Sequence, residues 1–357
     1  MLKVFISASS LERLCLDEMS LPLENQSNWF VLLTKQNTIY LDKDICQSWT
    51  CDDPLFMFSQ SYQITLKEAT SDYNSEAVDN PASLLNHPQD VFILDIGSAE
   101  TEAIKDRYGV MCQSTRDLSD CAISESGCHF DLVKNEHVHN WSELFAENRK
   151  VPANSLIIVD RYIFGYEGRL RSGYADGVNN IKQILHSALP DNLDCTFDVL
   201  IIFDATSSPD RNFNIVQVAI DLEDFKNNVL QKPYNIDIEL LSLTSRCARY
   251  EGTHNRRILS NYCIVKAEHL LKAFNRKGES ITSQSLDLDY SYSKGLRSRD
   301  DVPQKSINDL VTKLQDMYRS ARYEVQNNTS LSSEYIYYIN GQLDTVDHLK
   351  NRLILNS

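Results

Sequence analysis

Between residues 155 and 243, short and strongly apolar runs alternate with amphipathic segments. That alternation restricts the fold more than any other feature of the chain. Ser155 to Val159 is apolar without interruption after its first residue, and Phe197 to Phe203 is broken only by Asp198. Runs of this length and composition predict strands buried on both faces. Between them Val178, Ile181, Ile184, Leu185 and Ala188 recur at helical spacing, and Pro190 closes that helix. Ile215, Val218, Leu222, Phe225 and Val229 predict a second helix over 214–231, and Ile236 to Leu243 a third strand. A fourth strand is expected over Arg257 to Val265, followed by the segment Glu268 to Phe274. Strands and helices in this order predict an α/β fold: a mainly parallel or mixed sheet covered by helices.

The flanking regions are less regular. Residues 1–150 read as a separate, irregular α/β domain, with strands expected at Leu2 to Ala8, Trp29 to Thr34, Thr38 to Leu41 and Val91 to Ile96. A helix over Ala99 to Tyr108 should end at Gly109. Residues 70–90, rich in Ser, Asn, Asp and Pro, read as a loop with one short helix. The pattern changes around Arg149 to Asn154, which sets the expected domain boundary at 150. Residues 279–303 are polar and predict an exposed loop or hairpin. Ile307, Leu310, Val311, Leu314, Met317, Tyr318 and Ala321 form one apolar stripe, predicting a helix over Ser306 to Gln326. A last helix is expected over Ser333 to Leu355. The predicted organisation is therefore 1–150, 151–303, and a C-terminal helical hairpin over 304–357.

Charge narrows the function. The 357 residues carry a net charge of −15. Residues 1–150 hold 11 Lys and Arg against 24 Asp and Glu, a balance of −13, which leaves −2 for the remainder. So acidic an N-terminal half disfavours general nucleic-acid binding and suits a protein partner. No apolar run reaches the ~18–20 residues of a membrane span. Nine cysteines, an odd number with no secretory signal in view, read as free thiols and a cytoplasmic setting. Cys121, Cys128, His129, His137 and His139 miss the spacing of a structural zinc site, so no metal and no cofactor is expected. Asp95, at the end of an apolar strand, is read first as a helix or turn cap and second as an acidic functional group.

The positive charge that remains is concentrated. Arg246, Arg249, His254, Arg256 and Arg257 fall within twelve residues. The order and spacing of His254, Arg256 and Asn261 match the motif His-x-Lys-x4-Asp. With the strand–helix–strand setting before it, residues 151–275 resemble a single, diverged copy of a phospholipase D-like domain. In that family the His is the nucleophile, the Lys holds phosphate oxygens and the Asp lies close by. The resemblance therefore implies His254, Arg256 and Asn261 as the catalytic positions, with Arg246, Arg249 and Arg257 as further anion-binding residues. Arg256 keeps the charge of the Lys but replaces a compact ammonium with a planar fork, and Asn261 lacks the charge of the Asp. His348 and Lys350 form a second His-x-Lys, but Leu355 stands where the Asp would be.

An active site in this family needs two such halves. A single copy implies either a homodimeric phosphodiesterase or nuclease that uses His254 from both chains, or a catalytically degenerate protein that binds a phosphate-bearing or other anionic ligand. The substitutions favour the second, together with a protein partner for the acidic half. In keeping the fold with an altered motif, such a chain would be similar to certain eukaryotic trafficking and division proteins and to bacterial antiviral defence and regulatory proteins, and the resemblance implies the bacterial setting as an expectation. The residues also admit a plainer reading, in which the arginines are an electrostatic latch on a scaffold protein.

Overall fold

A computed structural model of the chain describes residues 3–42, 50–118, 127–146, 151–165, 173–204, 215–242, 256–291, 308–316, 336–339 and 351–355. The chain divides into two compact units. One is Met1–Ser126 with Tyr290–Asn308, and the other is Gly127–Asp289 with Asp309–Ser357.

The first unit is built on five strands: β1 (Val4–Ile6), β2 (Thr38–Leu41), β3 (Thr65–Glu68), β4 (Val91–Leu94) and β5 (Met111–Ser114). They form one parallel sheet in the order β3-β2-β1-β4-β5. Register places Phe5 beside Tyr40 and Phe92, which makes an aromatic row across three strands with ring separations of 5.2 and 5.1 Å. Tyr73 covers this row, its ring 4.3 Å from that of Phe5. The helices are α1 (Ala8–Glu18), α2 (Asn28–Thr34), α3 (Pro54–Tyr62), α4 (Tyr73–Asp79) and α5 (Ser98–Tyr108). α5 ends as expected at Gly109, whose φ of +62° is the left-handed conformation glycine tolerates. The strand expected at Trp29 to Thr34 is instead α2. Ser27 caps it, its Oγ accepting the Phe30 N–H at 3.1 Å. Trp29 to Leu33 are all buried, so the run shows no polar face from which a period could be read.

The second unit contains β6 (Cys128–Leu132), β7 (Ser155–Val159), β8 (Phe197–Phe203), β9 (Ile236–Ser242), β10 (Arg257–Ser260), β11 (Cys263–Ala267), β12 (Gln284–Tyr290) and β13 (Ile336–Ile339). Their order in the sheet is β13-β9-β8-β7-β10-β11-β12-β6. β7, β8 and β9 are parallel, and β10 turns the sheet antiparallel beside β7. The fold is thus α/β with a mixed sheet. β6 and α6 (Trp141–Ala146), which precede residue 150, belong to this unit, β6 pairing with β12. The single strand expected over 257–265 is a hairpin of β10 and β11, with Asn261 and Tyr262 between them. The helices α7 (Tyr174–Ala188) and α8 (Ile215–Phe225) follow the sequence periods, and α8 runs on as a π turn to Leu230.

The C-terminal hairpin of helices is not what forms. Residues 308–316 are helical (α9), but the second segment contains β13, antiparallel to β9, and a single turn, α10 (Arg352–Leu355). Ile336 to Ile339 alternates too briefly with its neighbours for strand and helix periods to be told apart.

α7 lies close against the turn that follows β7. At Gly177 a Cβ would stand 2.0 Å from the carbonyl oxygen of Ile163. Gly177→Ala should therefore push helix and turn apart and destabilise the second unit by about 1–3 kcal/mol, measured by denaturant unfolding. An unchanged midpoint would show that the contact is not needed.

Candidate functional site

β7 carries its chemistry at its end. Asp160 follows four residues that are 0–1% exposed, and it is itself fully buried. An ionised carboxylate in such surroundings must be held by donors. The Tyr162 N–H donates to Oδ1 at 2.9 Å and the Leu271 N–H to Oδ2 at 3.0 Å. Burial pushes the Asp160 carboxyl upward. The two N–H groups and the charges of Arg256 and Lys272 pull against that rise without cancelling it.

Lys272 is the second unusual residue. It is fully buried, and its Nζ donates to the carbonyls of Tyr162 (3.3 Å) and Gly165. It thereby ties the turn after β7 to the segment that contributes Leu271. The end of β8 adds a reciprocal pair. Arg161 Nε meets Asp204 Oδ2 at 3.0 Å, and the Asp204 N–H donates to the Arg161 carbonyl at 3.1 Å. The Arg161 guanidinium also lies over the Tyr162 ring, 5.4 Å from its centre.

Of the residues singled out in the sequence, Arg256 belongs to this edge. It immediately precedes β10, and because Arg257 is opposite Val159, Arg256 comes level with Asp160. Its NH1 reaches toward the Glu268 carbonyl at 3.5 Å, on the exposed side. Arg257 serves the sheet instead. Burial works against its charge, and the carboxylates of Asp287 and Asp289 on β12 sustain it. Arg246, Arg249 and His254 lie outside the described residues, as do His348 and Lys350.

Asn261 is not brought to Arg256. It sits at the far end of β10, fully buried, in the turn to β11. Its Oδ1 accepts the N–H groups of Asn154 and Ser155 at 2.9 and 3.1 Å, and its Nδ2 donates to Asn154 Oδ1 at 2.8 Å. These bonds fasten the hairpin to the beginning of β7, a structural task.

The other groups considered are accounted for locally. His129 lies between Asp287 (2.5 Å) and Asp131 (3.1 Å), and its hydrogen bond to Asp287, followed by that to Asp131, raises its pKa. His139 bonds Glu143 at 3.0 Å and stacks on Phe130. His137 is 3.8 Å from Glu279, and Cys121 is outside the described residues. Among the described residues no three His, Cys, Asp or Glu side chains are grouped to hold a metal. Asp95, at the carboxyl edge of the first unit's sheet, accepts from Ser10 Oγ and Thr115 Oγ1, both at 2.7 Å. Burial would raise its pKa, but these hydroxyls, Ser7 and the charge of Arg13 bring it below the usual carboxylate value.

No family model and no curated protein sequence matches the chain. No described helix is long and apolar enough to cross a membrane.

The carboxyl edge of the second unit therefore gathers Arg161, Arg256 and Lys272 with Asp160, Asp204 and Glu268; Lys272 is spent on backbone carbonyls and Arg161 is paired with Asp204. Lys272 was missed in the sequence because a lone lysine in the run Leu270 to Phe274 has no motif. Its only signal is a charge inside an otherwise apolar stretch.

Asn261→Ala would leave two buried N–H groups without their acceptor. It should cost about 2–4 kcal/mol of stability in denaturant unfolding, while leaving any ligand affinity at the Asp160 edge within twofold. A large affinity loss in a well-folded variant would restore Asn261 to the site.

Proposed function

We propose that this chain is a catalytically degenerate phospholipase D-like protein whose second unit binds a phosphate-bearing anion. The site is the carboxyl edge of β7 and β8. The observation that carries this reading is Arg256, which stands level with Asp160 at that edge with its NH1 on the exposed side. Ligands of open α/β sheets bind outside the carboxyl ends of parallel strands, and a guanidinium offers phosphate a fork of two parallel N–H donors. Arg256 is the principal contact, and Arg161 with Tyr162 borders the same edge. Lys272 and Asp160 hold the turn on which the contacts stand.

The position of Asn261 supports binding over turnover. The third motif residue is spent on the hairpin, so nothing at that position orients a reacting group near Arg256. The acidic first unit suits a basic protein partner.

Isothermal titration with inorganic phosphate and pyrophosphate at about 50 mM salt tests this proposal. A charge-assisted hydrogen bond contributes about 1.5–3 kcal/mol, so Arg256→Ala should weaken binding by about tenfold to a hundredfold, and Arg256→Lys by less. Failure of the wild-type chain to bind either anion, or equal affinity in Arg256→Ala, would refute the assignment. Hydrolysis of bis(4-nitrophenyl) phosphate that disappears in His254→Ala would show that the protein is an enzyme after all.

A further inference from the structure

The sheet of the second unit ends on β6, and among the described residues no strand continues it beyond that point. β6 pairs with β12 on its inner side, Leu286 opposite Phe130 and Asp287 opposite His129. The outer side of a terminal strand presents N–H and C=O groups that another strand can bond. The charged side chains here stand out into solvent: His129, Asp131 and Asp287 are 57, 82 and 42% exposed.

Alternation along the strand places His129 and Asp131 on one face of the sheet and Phe130 on the other. On the first face His129 is bonded to Asp287 at 2.5 Å through Nδ1 and to Asp131 at 3.1 Å through Nε2. Its hydrogen bond to Asp287, and then that to Asp131, favours the imidazolium. On the second face Phe130 is half-buried, its ring stacked on that of His139 at 4.3 Å.

The order His-Phe-Asp is self-complementary. When two copies of β6 meet antiparallel about a two-fold axis at Phe130, His129 of each chain stands opposite Asp131 of the other. The two Phe130 side chains stand side by side on the reverse face. Four charges then alternate in sign around the axis. Opposite charges and aromatic side chains paired across strands are stabilising, and like charges directly opposite are destabilising. Charged side chains on an edge usually ward off other strands; an edge of mixed sign in this order rejects most strands but matches its own copy.

We propose that β6 is the contact of a two-fold symmetric homodimer, in which antiparallel β6 strands join two eight-stranded sheets into one. The occupant of the edge is a second copy of this chain. The two β10 strands are then seven interstrand spacings apart, three in each copy and one between them, or about 34 Å at ~4.8 Å each. Such a dimer keeps the two Arg256 edges separate and does not merge them into one active site.

Sedimentation velocity of the full chain over a dilution series tests the contact. The wild type should pass from monomer to dimer as concentration rises. Asp131→Lys sets like charge against His129 twice in the dimer and should weaken association by about tenfold or more. His129→Asp combined with Asp131→Lys restores opposite charges and should recover most of that loss. Mild oxidation of Phe130→Cys should link two chains through position 130, because opposed residues of an antiparallel pair lie about 4.5–5.5 Å apart, within disulfide reach. A chain that is monomeric at every concentration would overturn the proposal and leave the edge to an extended segment of a different protein. Undiminished association in Asp131→Lys, or a dimer that forms no link between the two introduced cysteines, would overturn it equally by moving the contact elsewhere.

Discussion

Asp160 is a carboxylate without access to water, and much of the second unit is arranged to make that tolerable. Moving an unsolvated charge into an apolar interior costs several kcal/mol unless donors replace the lost water. The turn after β7 supplies one donor through Tyr162 and the segment after β11 a second through Leu271. Lys272 then binds the same turn through the carbonyls of Tyr162 and Gly165. The turn and the segment 268–274 are therefore mutually dependent, and the close approach of α7 at Gly177 fixes the turn from the other side. Arg256 owes its place at this edge to the register of β10, whose first residue Arg257 is opposite Val159, which brings Arg256 level with Asp160.

The sheet is dry in the middle and charged at both ends. Ile157, Ile158, Leu200 and Ile201 are all fully buried, so nothing polar interrupts the centre of β7 and β8. Polar side chains are displaced to the carboxyl edge, where Asp160, Lys272 and Arg256 stand, and to the amino edge, where Asp198, Asp237 and Glu239 stand. The two ends differ in balance. The carboxyl edge mixes Arg161, Arg256 and Lys272 with Asp160, Asp204 and Glu268. The amino edge faces three carboxylates with Arg352, and a segment of the chain itself covers it.

The parts of this fold legible in the sequence are those in which one residue period dominates. The strands β7, β8 and β9 and the helices α7 and α8 fall where apolar spacing puts them, because each has one pattern to satisfy. α2 was unreadable for the opposite reason: all five residues from Trp29 to Leu33 are buried, and a helix with no wet face has no period. The turn between β10 and β11 was hidden because Asn261 and Tyr262 are both fully buried. A break between strands is usually marked by exposed Gly, Pro, Asn or Asp, and here the asparagine turns inward to bind Asn154 and Ser155. The ionic partners of Asp198 were invisible because Arg352 is separated from it by more than 150 residues.

The pair Arg256 and Asn261 shows most clearly why spacing in sequence is not spacing in space. Arg256 and Asn261 are five residues apart, which on a helix would bring them within about a turn and a half of each other. On a strand rising ~3.3 Å per residue the same interval spans about 16 Å, the whole length of β10. Arg256 at one end therefore answers to Asp160, and Asn261 at the other end answers to the start of β7. A phosphate held by Arg256 could not also touch Asn261. These two side chains can act in one site only if β10 is unmade. Such unmaking would release the buried Asn154 and Ser155 N–H groups at the same time. Stability and the distance of Asn261 from Arg256 are thus one physical fact: the asparagine is kept for the fold.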